Sequence, residues 1–334
     1  MVSRTPRIAI AGLMLALFWS GPGSATVMYN ELVVLGDSLS DQGNVYTITG
    51  SLIPPPEYTD GTNSGRFTNG LNYIDYLAPS LGLTVAPSVL GGTNFAYGGA
   101  RTDSHPLAPF GALGLLGQRD AYIASLAGMD ANPDALHVVW AGANDLRDIF
   151  VALVADPSID PIRPVLNAVA NVSNVVSSLA AVNATTVLVP NIPNLGVVPI
   201  VTGGGAPVPE AAALSDFFNT ALDQALAFVL TRFPLLSIVD FDTFTLSTDI
   251  FLDPLSFGFM NASDACYSEF VEPGGTVCAD PDEYVSWDGF HPTTAAHQTV
   301  AAQMAAQVIP EPAILTLLSL GLAGLGFARR QMKS

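Results

Sequence analysis

Lysine is almost missing from this chain: among 334 residues the only one is Lys333, next to the last. Lysine and arginine together number 11 against 29 acidic residues, a net charge of −18. Arg4 and Arg7 lie at the start, and Arg329, Arg330 and Lys333 at the end, so the body between is more acidic still. A surface of that sign is repelled by nucleic acid and by anionic lipid, which argues against a nucleic-acid binder. Cysteine is nearly as scarce. Cys266 and Cys278 stand alone, without the ligand company of a zinc site, so no metal is expected. The chain also has no long polar linker, no repeat period, no Gly-rich phosphate loop and no Gly-x-Ser-x-Gly elbow. The first two absences point to one domain, and the last disfavours an ordinary α/β-hydrolase.

What is present begins with two unusual ends. Residues 1–25 carry Arg4 and Arg7, an uncharged apolar run over 8–19, and small residues at Gly23-Ser24-Ala25. Those are the three parts of a secretory signal, and the run is too short to be a comfortable membrane span. At the other end Ile309-Pro310-Glu311-Pro312 precedes 16 uncharged residues, 313–328, and then Arg329-Arg330. This is a short membrane segment stopped by cytoplasmic positive charge, just under the usual length of about 17 to 25 residues. In an exported chain, the pair Cys266 and Cys278 is read as a disulfide, with two free thiols as the alternative.

Between the ends, apolar runs alternate with helical stretches. Strands are expected at 32–36, 93–96, 136–141, 186–189 and 236–240, and helices at 72–81, 113–127, 165–182, 210–232 and 293–308. Five strands separated by helices predict an α/β fold, an open parallel sheet covered on both faces, with ligands beyond the carboxyl ends of the strands. Loops 46–65 and 251–285 are long enough to border such a cleft.

Three short blocks fall at those strand ends. Gly36-Asp37-Ser38-Leu39 puts a serine directly after the first strand, although Ser38 and Asp41 also match a helix capping box. Asp288-Gly289-Phe290-His291-Pro292-Thr293 offers a base and a carboxylate to orient it, although an isolated pair of this spacing is more often structural. Asn94 to Gly99 and Gly142-Ala143-Asn144-Asp145 offer oxyanion donors: the Ser38 and Gly99 N–H groups and the Asn144 amide. Each such donor is worth roughly 3 kcal/mol to a tetrahedral intermediate, while the bland readings are a tight turn and a helix cap. His297 reads as a helix-surface residue, and His105 and His137 lack a carboxylate at the same spacing.

Taken together and in this order, the blocks resemble those of the GDSL/SGNH hydrolases, over about residues 30–309. The resemblance implies a three-layer α/β/α, flavodoxin-like fold and a cofactor-free serine ester hydrolase acting on a lipid or an acylated polysaccharide. It implies Ser38 as nucleophile, His291 as base, Asp288 as orienter, and Ser38, Gly99 and Asn144 as oxyanion donors, with Gly99 preferred to Gly98 by alignment. Acyl transfer, polysaccharide deacetylation and a non-catalytic surface or matrix role stay open beside it. Similarly, the C-terminal end resembles the PEP-CTERM sorting signal of Gram-negative bacteria. The division is then a signal peptide over 1–25, a hydrolase domain over 26–309 and a sorting signal over 310–334. That arrangement implies processing by signal peptidase and an exosortase-type enzyme, transient anchoring in the inner membrane, and delivery to the cell surface or medium.

Overall fold

The computed structural model describes residues 29–104, 111–268 and 275–309. The leader 1–25, the tail 310–334 with its expected membrane segment, and His105 lie outside the described residues. Among the described residues no helix is long and apolar enough to cross a membrane.

In chain order the elements are β1 (Glu31–Gly36), α1 (Asn44–Ile48), α2 (Tyr73–Ser80), α3 (Leu115–Ser125), β2 (Ala135–Trp140) and α4 (Ala143–Ala155). They continue with α5 (Ile162–Ala181), β3 (Thr186–Pro190), α6 (Pro199–Thr202), α7 (Pro209–Arg232), β4 (Ser237–Phe241) and α8 (Thr243–Leu252). Last come β5 (Asn261–Ala265), β6 (Tyr284–Ser286) and α9 (Thr294–Val308). The main sheet is parallel throughout, in the order β1-β2-β3-β4.

Both faces of that sheet are buried, which explains why its strands read as continuous apolar runs rather than alternating ones. Side chains still alternate by face. Val33, Leu35, Val139 and Val187 join one core with α3, α5 and α7, while Leu32, Val34, Leu136 and Leu188 join the other with α2, α8 and α9. The result is the expected three-layer α/β/α sandwich.

One strand departs from expectation. The segment 93–96 meets β1 only through a single parallel bridge, Val34 to Asn94, so the sheet has four strands rather than five. Val34 N–H donates to the Thr93 carbonyl and Phe95 N–H to the Val34 carbonyl. A longer ladder would next use the Gly36 N–H. That group donates instead to Gln118 Oε1 at 2.8 Å, while Gln118 Nε2 donates back to the Gly36 carbonyl. One buried amide from α3 thus takes the Gly36 N–H out of the ladder, which continues past Val34 only through the Tyr97 N–H to the Gly36 carbonyl at 3.3 Å. The loop expected over 251–285 differs in holding β5 and most of β6, which form a two-stranded sheet, while the expected disulfide does join Cys266 to Cys278.

Candidate active site

Ser38 stands on a turn that its neighbours hold in place. The Asp37 carbonyl accepts the N–H groups of Ser40 and Asp41, and the Asp37 carboxylate accepts the Leu39 N–H at 3.0 Å. Gly36 allows this turn to pass close to β2: a Cβ there would lie 2.6 Å from the Trp140 carbonyl oxygen. No helix starts at Ser38, so the capping-box alternative does not describe it. Asp41 supports α1 instead, accepting from Gly43, Asn44 and Val45, and it also takes the Gly98 N–H.

The segment between β6 and α9 brings His291 to that serine. Trp287 N–H donates to the His291 carbonyl and Thr293 caps α9 by accepting from Ala296, which fixes both ends of the loop. Asp288 Oδ1 takes the backbone N–H groups of Phe290 and His291, each at 2.6 Å. His291 Nδ1 lies 2.6 Å from Asp288 Oδ2, and Nε2 lies 2.8 Å from Ser38 Oγ. An ionised Asp288 can only accept, so Nδ1 carries the proton and Nε2 is free to accept from the serine hydroxyl. Burial alone would push the Asp288 carboxyl up, but the facing His291 and its hydrogen bonds, with that from Tyr58, hold it below the usual range.

Tyr58 is the member that the sequence reading did not name, although its loop was singled out. Its hydroxyl donates to Asp288 Oδ2 at 2.7 Å across 230 residues of chain. The ring packs edge-on against Tyr267 and Trp287, which stack on one another, and Cys266 lies in the same buried cluster. The disulfide therefore belongs to the wall that supports Asp288 from behind.

Ser38, Gly99, Asn144 and His291 line one cavity of about 200 Å³, together with Phe67 and Phe290. Among the described residues, the N–H groups of Ser38 and Gly99 have no hydrogen-bond acceptor. The Gly98 N–H is already taken by Asp41 at 2.9 Å. That difference favours Gly99 as the donor facing the cavity, and its φ of 76° suits glycine. Asn144 is the second residue of α4, and one of its two amide protons goes to the Ala100 carbonyl. The other is available to the cavity, where the positive end of α4 adds to it. Burial raises three carboxyls around this site, Asp37, Asp41 and Asp145, to about 6 each.

The remaining histidines lie elsewhere. His137 is buried on β2 with Nε2 2.8 Å from the Tyr122 hydroxyl. His297 is not on the surface as expected. It is 1% exposed and stacked on Tyr73, because α9 is covered by α2 on that side. Among the described residues no group of three or more histidine, cysteine or acidic side chains converges on a metal site.

Known proteins resemble this chain over most of its length. A family model described as GDSL-like Lipase/Acylhydrolase matches residues 32–304. A second, for the PEP-CTERM protein-sorting motif, matches residues 308–330. Two GDSL esterase/lipases of Arabidopsis thaliana are 25% and 27% identical, each over 89% of this chain and 96% of its own. Acetylajmalan esterase 1 of Rauvolfia serpentina is 27% identical over 85% of this chain and 87% of its own.

Proposed function

This chain belongs to the GDSL-like lipase/acylhydrolase family, and from that premise we propose that it is an exported enzyme hydrolysing carboxylic esters through an acyl-enzyme on Ser38. The observation that carries the reading is the unbroken hydrogen-bond path from Ser38 Oγ through His291 to Asp288. A serine hydroxyl is a weak nucleophile until a base removes its proton.

His291 Nε2 takes the Ser38 proton as Oγ attacks the ester carbonyl. Asp288 keeps the imidazole in the required tautomer and stabilises the imidazolium that forms. The Ser38 and Gly99 N–H groups and the Asn144 amide receive the oxyanion. Collapse of the tetrahedral intermediate expels the alcohol, which takes the proton from His291. Water then attacks the acyl-enzyme by the same route in reverse, releasing the acid and restoring Ser38. His291→Ala should lower p-nitrophenyl acetate turnover by at least roughly 10³-fold, and wild-type turnover in that variant would contradict the reading.

Residues 1–25 act as a cleaved leader, 26–309 as the hydrolase domain and 310–334 as a sorting signal recognised by an exosortase-type enzyme. The motif match over 308–330 supports this division. Intact-mass measurement of the exported protein from its native host should show the tail removed. Recovery of the Met332-Lys333-Ser334 end in that pool would overturn processing and leave a membrane-anchored hydrolase.

A further inference from the structure

A second cavity, of about 110 Å³, lies directly behind the candidate catalytic side chains. Its walls interleave with those of the first along the chain: Leu39 follows Ser38, Ala143 precedes Asn144, and Phe290 and Pro292 flank His291. Phe290 borders both cavities, and the Arg147 guanidinium sits 5.7 Å from its ring centroid. The far wall comes from Leu246 and Ile250 of α8 and Val300 of α9.

The chemistry of this chamber is one-sided. No charged side chain lines it. Of its three hydroxyls, Thr243 donates to the Asn191 carbonyl, and Ser247 donates to the Phe244 carbonyl while accepting the Asn194 N–H. Only that of Ser286 has no partner among the described residues, one polar group where a water needs at least two. Water needs two to four polar partners to reside in a cavity, and an apolar one stays dry and open to an apolar guest. The catalytic cavity, in contrast, carries Arg147, the Asn144 amide and the exposed Ile200 at its rim.

The two steps of ester hydrolysis sort these cavities. The alcohol must leave and water must replace it, which suits the cavity that Arg147, Asn144 and His291 line. The acyl group stays on Ser38 throughout, which suits a dry pocket beside it. We propose that the apolar chamber behind Phe290 is the acyl-chain site and that its volume limits the chain to short acids. The proposal rests on the hydrolase reading above. If each chain carbon takes about 30 Å³, as a water does in the liquid, the chamber holds about four of them beyond the carbonyl. Pentanoyl esters then fit best.

The test is kcat/KM for p-nitrophenyl esters from acetyl to dodecanoyl, on the mature protein. We expect a rise of roughly fourfold per added methylene, the value of about 0.8 kcal/mol for burying each one, up to about pentanoyl and a fall beyond it. Ile250→Phe and, independently, Val300→Phe occupy the chamber away from Ser38, and each should lower the pentanoyl-to-acetyl ratio at least tenfold. Circular dichroism identifies which variants fold. The wild-type profile decides alone if neither does: a profile flat in chain length, or rising steadily to dodecanoyl, overturns the assignment. So does an unchanged ratio in a folded variant. Acetyl turnover separates the two claims, because its absence from the wild type contradicts the hydrolase reading itself.

Discussion

The Tyr58 hydroxyl and the His291 ring meet the same oxygen, Oδ2 of Asp288, at 2.7 and 2.6 Å. Tyr58 thus shares the carboxylate proposed to orient the base, and it does so from a loop far away in sequence. Asp288 is bonded to Tyr58 before proton transfer as well as during it, so Tyr58 acts on the rate by holding the carboxylate, and with it the imidazole, in position, where loosening corresponds to on the order of a tenfold change.

Tyr58→Phe keeps the ring in its aromatic cluster and removes only that donor. We expect kcat to fall about tenfold with KM little changed. Steady-state kinetics on an acetyl ester check this, and an unchanged kcat would reduce Tyr58 to a packing residue.

Asn144→Ala tests the oxyanion assignment. The loss of one such donor typically lowers kcat by about 10²–10³-fold while leaving ground-state binding nearly intact. Steady-state kinetics on an acetyl ester separate the two parameters. An effect confined to KM would place Asn144 in substrate binding instead.

What was legible in the chain was local. Gly36-Asp37-Ser38, Gly142-Ala143-Asn144 and Asp288 to His291 each combine a strand end with its chemistry within a few residues. What was not legible depends on partners far along the chain. Gln118 shortens the edge strand by capturing Gly36 from 82 residues away, and no periodicity announces it. Tyr58 reaches Asp288 only once the loop and the disulfide-bearing segment have packed together. His297 sits among alanines in α9, where small residues on every side blur the distinction between the covered and open faces.

That buried histidine gives a pH dependence with a definite sign. Burial pushes His297 down to about 3 and His137 down to about 4. Both fold neutral, while the unfolded chain protonates near pH 6.5. Their contribution is complete above pH 6.5 and is lost as pH falls toward those folded values. Asp37, Asp41 and Asp145, raised to about 6, act oppositely: their contribution is complete below about pH 3.9 and is lost as pH rises through about 6.

His297→Asn removes one acid-sensitive group and leaves the opposing aspartates in place. The variant should be less stable than wild type at pH 7, where lost packing on Tyr73 dominates. The gap should narrow by about 2 kcal/mol by pH 4.5, read from urea denaturation at both values. A gap independent of pH would mean that His297 does not titrate differently in the folded state.

The identity of the nucleophile is tested most directly by mass spectrometry after reaction with a fluorophosphonate ester probe. The account predicts one adduct per chain, on Ser38, formed in step with the loss of ester turnover and absent from Ser38→Ala protein. An inactivated enzyme with its adduct on another residue, or a Ser38→Ala variant that keeps wild-type turnover, would contradict it.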